Sequence, residues 1–227
     1  MAQMAVSNPK SSKKDYVVSI ETKFGTIKAL LYEDTPLHKE NFIKLAEEKF
    51  YGNTTFHRVM QNFMIQGGDP NSKDDNPKND GLGGPGYKIK AEFSPIHIHL
   101  KGAIAAARQP DAINPNKESN GSQFYIVQGR KANDAELKQL QKFKDIQYSE
   151  TQINKYKEIG GAPHLDMDYT VFGEVIDGLD VIDKIASQKT GAGNRPVEDI
   201  TMSVTVKKMR KKKISKLYKY NYPIIEE

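Results

Sequence analysis

One arginine stands among large apolar side chains and a glutamine in the segment from Phe56 to Asp69, which reads FHRVMQNFMIQGGD. The guanidinium of Arg58 is permanently charged, planar and rich in N–H donors, so it can hold a carbonyl oxygen firmly. The chain contains no cysteine, which excludes disulfides, thiolate metal sites and a cysteine nucleophile. These features favour a site that binds and stabilises its substrate without forming a covalent bond to it.

A second segment, from Asn120 to Ile126, reads NGSQFYI and follows at a distance that lets it return as a neighbouring strand. Because side chains alternate along a strand, Gln123 and Tyr125 should point to the same side, and Arg58 should share a face with Phe56. Together the two segments resemble those of the cyclophilins, the peptidyl-prolyl cis/trans isomerases.

The resemblance runs from about Tyr16 to Val206 and is interrupted between Gln128 and Ala162. It implies a mainly β fold, a closed eight-stranded antiparallel barrel capped by two helices. It also implies isomerisation of X-Pro bonds in peptides and folding proteins, without a cofactor or a metal. Matching the motif assigns catalysis to Arg58 and Gln66. The substrate-binding residues are expected to be Phe63, Met64, Gly81, Ala107, Arg108, Gln123, Tyr125, His164, Leu165 and Tyr169.

This sequence departs from the usual cyclophilin pattern at three of these positions. Arg108 stands where the family uses backbone groups, often of an asparagine, to pair with the peptide, and backbone pairing survives that change. His164 stands where many members carry tryptophan, and Tyr169 where many carry histidine. Those members bind cyclosporin tightly partly through the tryptophan, so we expect weak inhibition here. Gly81 should border a secondary pocket for residues that precede the proline.

Isomerisation of a prolyl bond suits a site without a nucleophile. Rotation about a peptide bond faces a barrier of roughly 18–20 kcal/mol, because the nitrogen lone pair is delocalised into the carbonyl. Proline is the useful target, since its cis form lies only about 0.5–1 kcal/mol above the trans form. The enzyme has only to bind the twisted amide more tightly than either planar form.

The elements that must position these residues are mostly strands. Two β-rich runs, at 16–22 and 27–32, predict a hairpin around Gly25. Thr35 followed by Pro36 predicts a helix start in which the hydroxyl accepts a free backbone N–H. A second helix is predicted at 179–186, and further strands at 55–59, 63–66, 87–93, 103–107, 123–127, 170–175 and 200–206. Many antiparallel strands with two core helices favour a closed barrel, because closure removes exposed sheet edges.

The interruption of the resemblance has helical spacing. Asn133 is a plausible N-cap, Ser149 with Gln152 resembles a capping box, and Gly160 is a stop signal. We therefore predict a helical hairpin inserted at about 128–162. The predicted division is a disordered leader at 1–14, a cyclophilin-like domain at 15–206 and a basic C-terminal extension at 207–227.

Composition indicates a globular protein of one domain with tails, with 37% hydrophobic and 28% charged residues in 227. No apolar run approaches the ~20 residues that span a bilayer. Residues 1–14 lack the apolar core of an export signal, so the expected location is the cytoplasm, with a periplasmic or exported mature form as the alternative. We expect a monomer.

The net charge of +5 is concentrated between Lys207 and Lys219, which we interpret as a solvated strand end and tail. Three alternatives stay open. The chain could be a non-catalytic proline-peptide binding module or chaperone, or a nucleic-acid-associated protein in which isomerisation is secondary, although we do not expect nucleic acid as a partner. His97 and His99 lie at strand spacing and could chelate a metal, but an exposed pair is the simpler interpretation. His57 should face away from Arg58 and be structural.

Overall fold

The computed structural model describes residues 12–74 and 76–222, which form an eight-stranded antiparallel sheet, a two-stranded sheet and five helices. The strands are β1 Lys14–Thr22, β2 Gly25–Leu31, β3 Arg58–Met60, β4 Met64–Gly67, β5 Lys88–Ile89, β6 Ala103–Ala106, β7 Ser119–Asn120, β8 Phe124–Val127, β9 Val171–Asp177 and β10 Ser203–Arg210. The helices are α1 Pro36–Glu47, α2 Asp134–Lys144, α3 Glu150–Glu158, α4 Leu179–Ala186 and α5 Lys211–Tyr218. Most of the predicted leader, residues 1–11, lies outside the described residues, and Lys14 already belongs to β1.

The large sheet has the strand order β10-β1-β2-β9-β6-β8-β4-β3, and every neighbouring pair is antiparallel. The predicted mainly β fold is thereby confirmed. The two edge strands, β10 and β3, do not pair with each other along their described lengths, so strand pairing alone does not close the sheet into a barrel.

Successive side chains of a strand point to opposite faces of the sheet, and a hydrophobic cluster covers each face. One face, with Ile20, Ile65 and Ile126, joins the main hydrophobic core, which α1 and α4 cover. The opposite face carries a second cluster that includes Met64 and Tyr125. Three of the four residues of β6 are alanines, and their small side chains leave room on this second face. The candidate site lies there.

The start of α1 differs from the prediction. Thr35 occupies the N-cap position, but its hydroxyl caps no backbone N–H and instead donates to Tyr32 O. The free N–H groups of Leu37 and His38 donate to the carboxylate of Glu92, each at 3.0 Å. A carboxylate at this end also interacts favourably with the helix dipole, so the loop residue replaces the local cap.

Two helices occupy the predicted insertion. The Asn133 side chain accepts from Glu136 N at the start of α2, and Ser149 with Gln152 forms the expected capping box at the start of α3. Gly160 follows α3 with a φ of 85°, which favours glycine. The hairpin has a hydrophobic cluster of its own, which contains Leu137, Tyr148 and Tyr156 together with Ile98.

The C-terminal segment is more structured than a solvated tail. β10 continues through Arg210, and α5 follows, with Ile214 fully buried against Val17 and Leu30. The strand predicted at 87–93 is shorter than expected, since only Lys88–Ile89 pairs, with Ser119–Asn120. Among the described residues, no helix is both long and apolar enough to cross a membrane.

Candidate active site

Strand register sets the arrangement of the predicted catalytic residues. Arg58 lies directly opposite Gln66 in the β3–β4 pair, and Gln66 lies opposite Tyr125 in the β4–β8 pair. Tyr125 in turn faces Ala105 across β6 and β8. Directly opposed residues have side chains on the same face at about 5 Å, so these four residues form one row across the sheet.

The Arg58 guanidinium is held by neutral partners. Its Nη1 donates to Gln66 Oε1 at 3.2 Å, and its Nη2 donates to Met60 Sδ at 3.1 Å. A guanidinium carries five N–H donors, so others are left for a substrate. Because neither partner is a carboxylate, the positive charge is not neutralised within this pair of contacts.

Gln66 is fixed in turn by a second glutamine. Its Nε2 donates to Gln123 Oε1 at 3.1 Å, and Gln123 Nε2 donates to the carbonyls of Gly81 at 3.0 Å and Gly83 at 2.8 Å. The direction of these bonds makes Gln66 Oε1 the acceptor that faces Arg58. A chain of amides therefore connects the glycine loop to the guanidinium.

A cavity of about 100 Å³ opens beside Arg58. It is lined by Arg58, Phe63, Met64, Gln66, Ala107, Arg108, Tyr125, Leu165 and Tyr169. These are nine of the twelve residues predicted from the sequence. The apolar side chains form a cup of a size suited to a small ring, and Arg58 and Gln66 place polar groups beside it.

The other three predicted residues do not line this cavity. Gly81 and Gln123 lie behind Gln66, where Gln123 is buried and bonded to the carbonyl of Gly81. The His164 ring packs against Phe63, with 5.3 Å between ring centroids. Burial, reinforced by His99 and Lys144, lowers the pKa of His164, which favours the neutral ring.

Arg108 braces the far side of the cup. Its guanidinium lies 4.5 Å from the ring centroid of Tyr169, and its Nε donates to Asp168 O at 2.7 Å. Asp111 accepts from Arg108 Nη1 at 2.5 Å. The Tyr169 ring meets the Tyr125 ring edge-on at 5.9 Å. Arg108 thus holds an aromatic wall, a role that its sequence position did not predict.

The loop that carries Leu165 and Tyr169 is tied down by charge. Asp168 accepts hydrogen bonds from Lys117 and from Lys144, an α2 residue whose Nζ lies 2.5 Å from Asp168 Oδ2. Burial alone would raise the pKa of Asp168, but the two lysines outweigh it and lower that pKa below its usual value. The carboxylate therefore stays ionised at neutral pH.

The predicted exposed pair of histidines was wrong. His97 is largely covered, stacking on Tyr32 at 3.8 Å and bonding to Asp34. His99 is fully buried, with Asp166 on Nδ1 and the Tyr125 hydroxyl on Nε2. In the described part of the chain, no three metal-ligating side chains come together. The hydroxyl of Tyr125, a residue predicted to line the pocket, was a sequence signal that a polar partner was needed.

The chain is similar to known proteins in both sequence and fold. A family described as cyclophilin type peptidyl-prolyl cis-trans isomerase/CLD matches residues 17–206. A "Putative peptidyl-prolyl cis-trans isomerase" of Staphylococcus saprophyticus is 38% identical over 176 residues, covering 76% of this chain and 81% of that protein. Its Staphylococcus aureus namesake is 34% identical over 206 residues, covering 89% and 96%.

Solved structures show the same fold. The crystal structure of a Cryptosporidium parvum cyclophilin type peptidyl-prolyl cis-trans isomerase has a TM-score of 0.62 at 25% identity, covering 86% of this chain and 98% of that one. A structure of the same enzyme in the presence of the dipeptide Ala-Pro has a TM-score of 0.60 at 24% identity, covering 84% and 98%. The family match spans nearly the whole described sheet. The chain therefore belongs to the cyclophilin-type peptidyl-prolyl cis/trans isomerases, which accelerate rotation about X-Pro bonds.

Proposed function

We propose that the cavity beside Arg58 holds the proline ring of a peptide or folding chain, and that Arg58 and Gln66 carry the catalysis. Phe63, Met64 and Leu165 supply apolar contact to the ring, and Tyr125 and Tyr169 complete the cup. The observation that carries this proposal is the juxtaposition of a guanidinium, held at 3.2 Å by Gln66, with that apolar cup.

The reaction needs stabilisation of a twisted amide. When the prolyl bond rotates, the nitrogen lone pair is no longer shared with the carbonyl and becomes a hydrogen-bond acceptor. A donor aimed at that nitrogen binds the twisted form more tightly than either planar form, which lowers the barrier. Arg58 supplies such a donor, and each ~1.4 kcal/mol of preference gives a tenfold rate increase.

The test compares wild type with Arg58→Ala and Arg58→Lys by NMR exchange on a series of X-Pro tetrapeptides, beginning with Ala-Pro. We expect Arg58→Ala to lower kcat/KM by about 100-fold or more, which is the usual effect of removing one transition-state donor. Arg58→Lys keeps the charge but loses the planar fork, so it should recover only part of the rate. Circular dichroism and thermal melting should show a folded protein in both cases.

The same measurements separate an enzyme from a receptor. If wild type binds the peptides without accelerating exchange, the site is a non-catalytic proline-peptide module or chaperone. If wild type is active and Arg58→Ala is equally active, the assignment of catalysis to Arg58 is wrong.

We also propose that the sheet closes into a barrel through the segments that precede β3 and β10. Phe56 N donates to Ile200 O at 2.9 Å, Met202 N to Thr54 O at 2.8 Å, and Asn53 N to Met202 O at 3.1 Å. Closure predicts that the amides of Phe56 and Met202 exchange with solvent as slowly as those of β1. Fast exchange of both would indicate an open edge.

The chain is further proposed to act as a monomer on proline-containing and folding chains. Sedimentation at several protein concentrations tests this state. A mass that rises with concentration would contradict it.

A further inference from the structure

A chain of buried, hydrogen-bonded side chains leads from the proline cavity into the protein. This relay consists of Tyr125, His99, Asp166, Tyr148 and Tyr156. His99 is fully buried, and its Nε2 lies 2.9 Å from the hydroxyl of Tyr125, whose ring lines the cavity. On the other side, His99 Nδ1 lies 2.7 Å from Asp166 Oδ1, which also accepts from His99 N at 2.8 Å. The imidazole is therefore clamped between a carboxylate and a phenol.

The second carboxylate oxygen of Asp166 faces the inserted hairpin. Tyr148, between α2 and α3, donates to Asp166 Oδ2 at 2.7 Å, and Tyr156 of α3 donates to it at 2.5 Å. Asp166 is itself buried, and the two phenols donate to its carboxylate from the hairpin side. It also borders a cavity of about 320 Å³ beside the connection between the two helices.

Tyr125 depends on this relay for its position. Its side chain is buried, and burial raises the pKa of Tyr125 well above its usual value, so the group is a neutral O–H. A buried hydroxyl without a partner is unfavourable, and the side chain would move to find one. The bond to His99 thus directs the hydroxyl away from the cavity and presents the ring edge and face to the substrate.

We propose that His99 and Asp166 are positioning residues for the isomerase: they hold Tyr125 in the proline cavity and anchor it to the α2–α3 hairpin. The inference rests on the proposed role of the cavity. Neither residue contacts the cavity through the atoms that form the relay, so neither is a catalytic residue. The hairpin, through Tyr148 and Tyr156, becomes part of what shapes the active site.

The relay has a distinct kinetic signature. The Tyr125 ring contacts proline in the planar and twisted forms alike, so its displacement weakens binding of both. Arg58 and Gln66 lie on other strands and are left in place. Breaking the relay should therefore raise KM and change kcat little.

A matched pair of variants isolates the hydroxyl bond. The amide of asparagine reaches about as far as Nδ1 of histidine, and the amide of glutamine about as far as Nε2. His99→Asn keeps a partner for Asp166 but leaves the Tyr125 hydroxyl without one, so KM should rise about three- to tenfold. His99→Gln keeps a partner for the hydroxyl but loses the Nδ1 bond to Asp166. KM should therefore rise less than in His99→Asn, by no more than about two- to fivefold, the effect expected when Asp166 loses one donor. Equal effects of the two variants on KM, or a loss confined to kcat, would overturn the proposal.

A double-mutant cycle excludes a merely structural role. Tyr125→Phe removes the hydroxyl and keeps the ring, so a change at His99 no longer leaves a hydroxyl without a hydrogen-bond partner. In that background, His99→Asn should alter KM by less than about twofold. If His99→Asn raises KM by the same factor with and without the hydroxyl, His99 does not act through Tyr125, and the inference fails.

The hairpin is tested by a variant that leaves His99 intact, which also serves if His99→Asn does not fold. Tyr156→Phe removes one donor to Asp166 and should raise KM about two- to fivefold. Tyr220→Phe is its control, since it removes a phenol–carboxylate bond of 2.9 Å to Glu174 outside the relay. KM unchanged in Tyr156→Phe, or raised equally in both, contradicts the role of the hairpin.

Failure of this inference is distinguishable from failure of the proposed function. Wild-type activity that is lost in Arg58→Ala but unaffected by the His99 and Tyr156 variants rejects the relay alone. Activity that does not depend on Arg58 rejects the proposed site.

Discussion

Arg58 is useful because its neighbours orient it without neutralising it. A carboxylate partner would hold the guanidinium more strongly but would compete for the donors that a twisted amide needs. Gln66 offers a neutral acceptor, and Gln123 determines which end of the Gln66 amide faces Arg58. The pair of glutamines thus orients the guanidinium without neutralising its charge.

Gln66 should therefore affect the rate less than Arg58 does. Gln66→Leu removes the 3.2 Å bond to Arg58 but leaves the guanidinium present. We expect kcat/KM to fall about tenfold, the effect of one lost hydrogen bond to a charged group. Gln61→Leu, at an exposed position, is the control and should retain wild-type kinetics. A full wild-type rate in Gln66→Leu would contradict the orienting role.

His164 should determine the response to cyclosporin. Its ring packs against Phe63 at 5.3 Å but does not line the cavity, so it offers a smaller apolar surface than the tryptophan that many cyclophilins carry there. We expect weak inhibition of wild type and inhibition at least about tenfold tighter in His164→Trp, because a larger apolar surface is buried. Inhibition constants from the peptide assay test both statements. Nanomolar inhibition of wild type would show that the tryptophan is dispensable.

The inserted hairpin meets the segments just before β6 and just after β8 at a point where only glycine fits. Gly161 bridges to both Leu100 and Arg130. A Cβ at this position would meet His99 O at 2.2 Å and the Tyr156 ring at 2.6 Å. The junction therefore brings the hairpin close to His99 and Tyr156, which both belong to the relay.

Gly161→Ala should destabilise this junction. Because the nearest obstacle is backbone, the chain must shift, and we expect the free energy of unfolding to fall by about 1–3 kcal/mol. Gly191→Ala is the matched control, since its nearest contact would be 4.0 Å away, and its stability should change by less than about 0.5 kcal/mol. Urea unfolding monitored by circular dichroism measures both. Equal midpoints would mean that the close approach is relieved without energetic consequence.

At the scale of the whole molecule, burial opposes the protonation of three histidines in the described part of the chain, His38, His57 and His164. Burial lowers the pKa of His57 and of His164. Burial also lowers the pKa of His38, although the nearby Glu92 acts to raise it. An unfolded histidine has a pKa of about 6.5, so the unfolded chain takes up protons before the folded chain does. When the unfolded state binds more protons, stability increases with pH.

The free energy of unfolding should consequently decrease as the pH falls from about 7 to 5, by up to about 1.4 kcal/mol per pH unit for each histidine that protonates only on unfolding. Asp168, whose pKa is lowered, contributes stability that is present above about pH 4 and lost below it, so it does not account for this slope. Urea unfolding across this range tests the slope. His57→Asn should reduce it whatever its effect on absolute stability, and a flat profile would contradict the prediction.

Much of the site was predictable from local sequence pattern. The family motif identified nine residues that line the cavity. Capping signals at Asn133 and Ser149 predicted both helices of the hairpin. These features depend on residues a few positions apart, whose preferences hold wherever the segment lies. The expected face of Phe56 was wrong, because β3 begins only at Arg58 and the chain before it turns Phe56 into the main core.

The remaining features depend on partners far apart in the chain, which a local pattern cannot pair. Glu92 caps α1 from 54 residues beyond His38, and Asp166 meets His99 across 67 residues. α5 became a helix packed on β1 because Ile214 finds a buried position there, although its neighbours in sequence are mostly lysines. Residue types make each such contact possible, whereas the folded sheet selects the contacts that form, since buried polar and apolar groups are stabilised only by the neighbours that the fold brings to them.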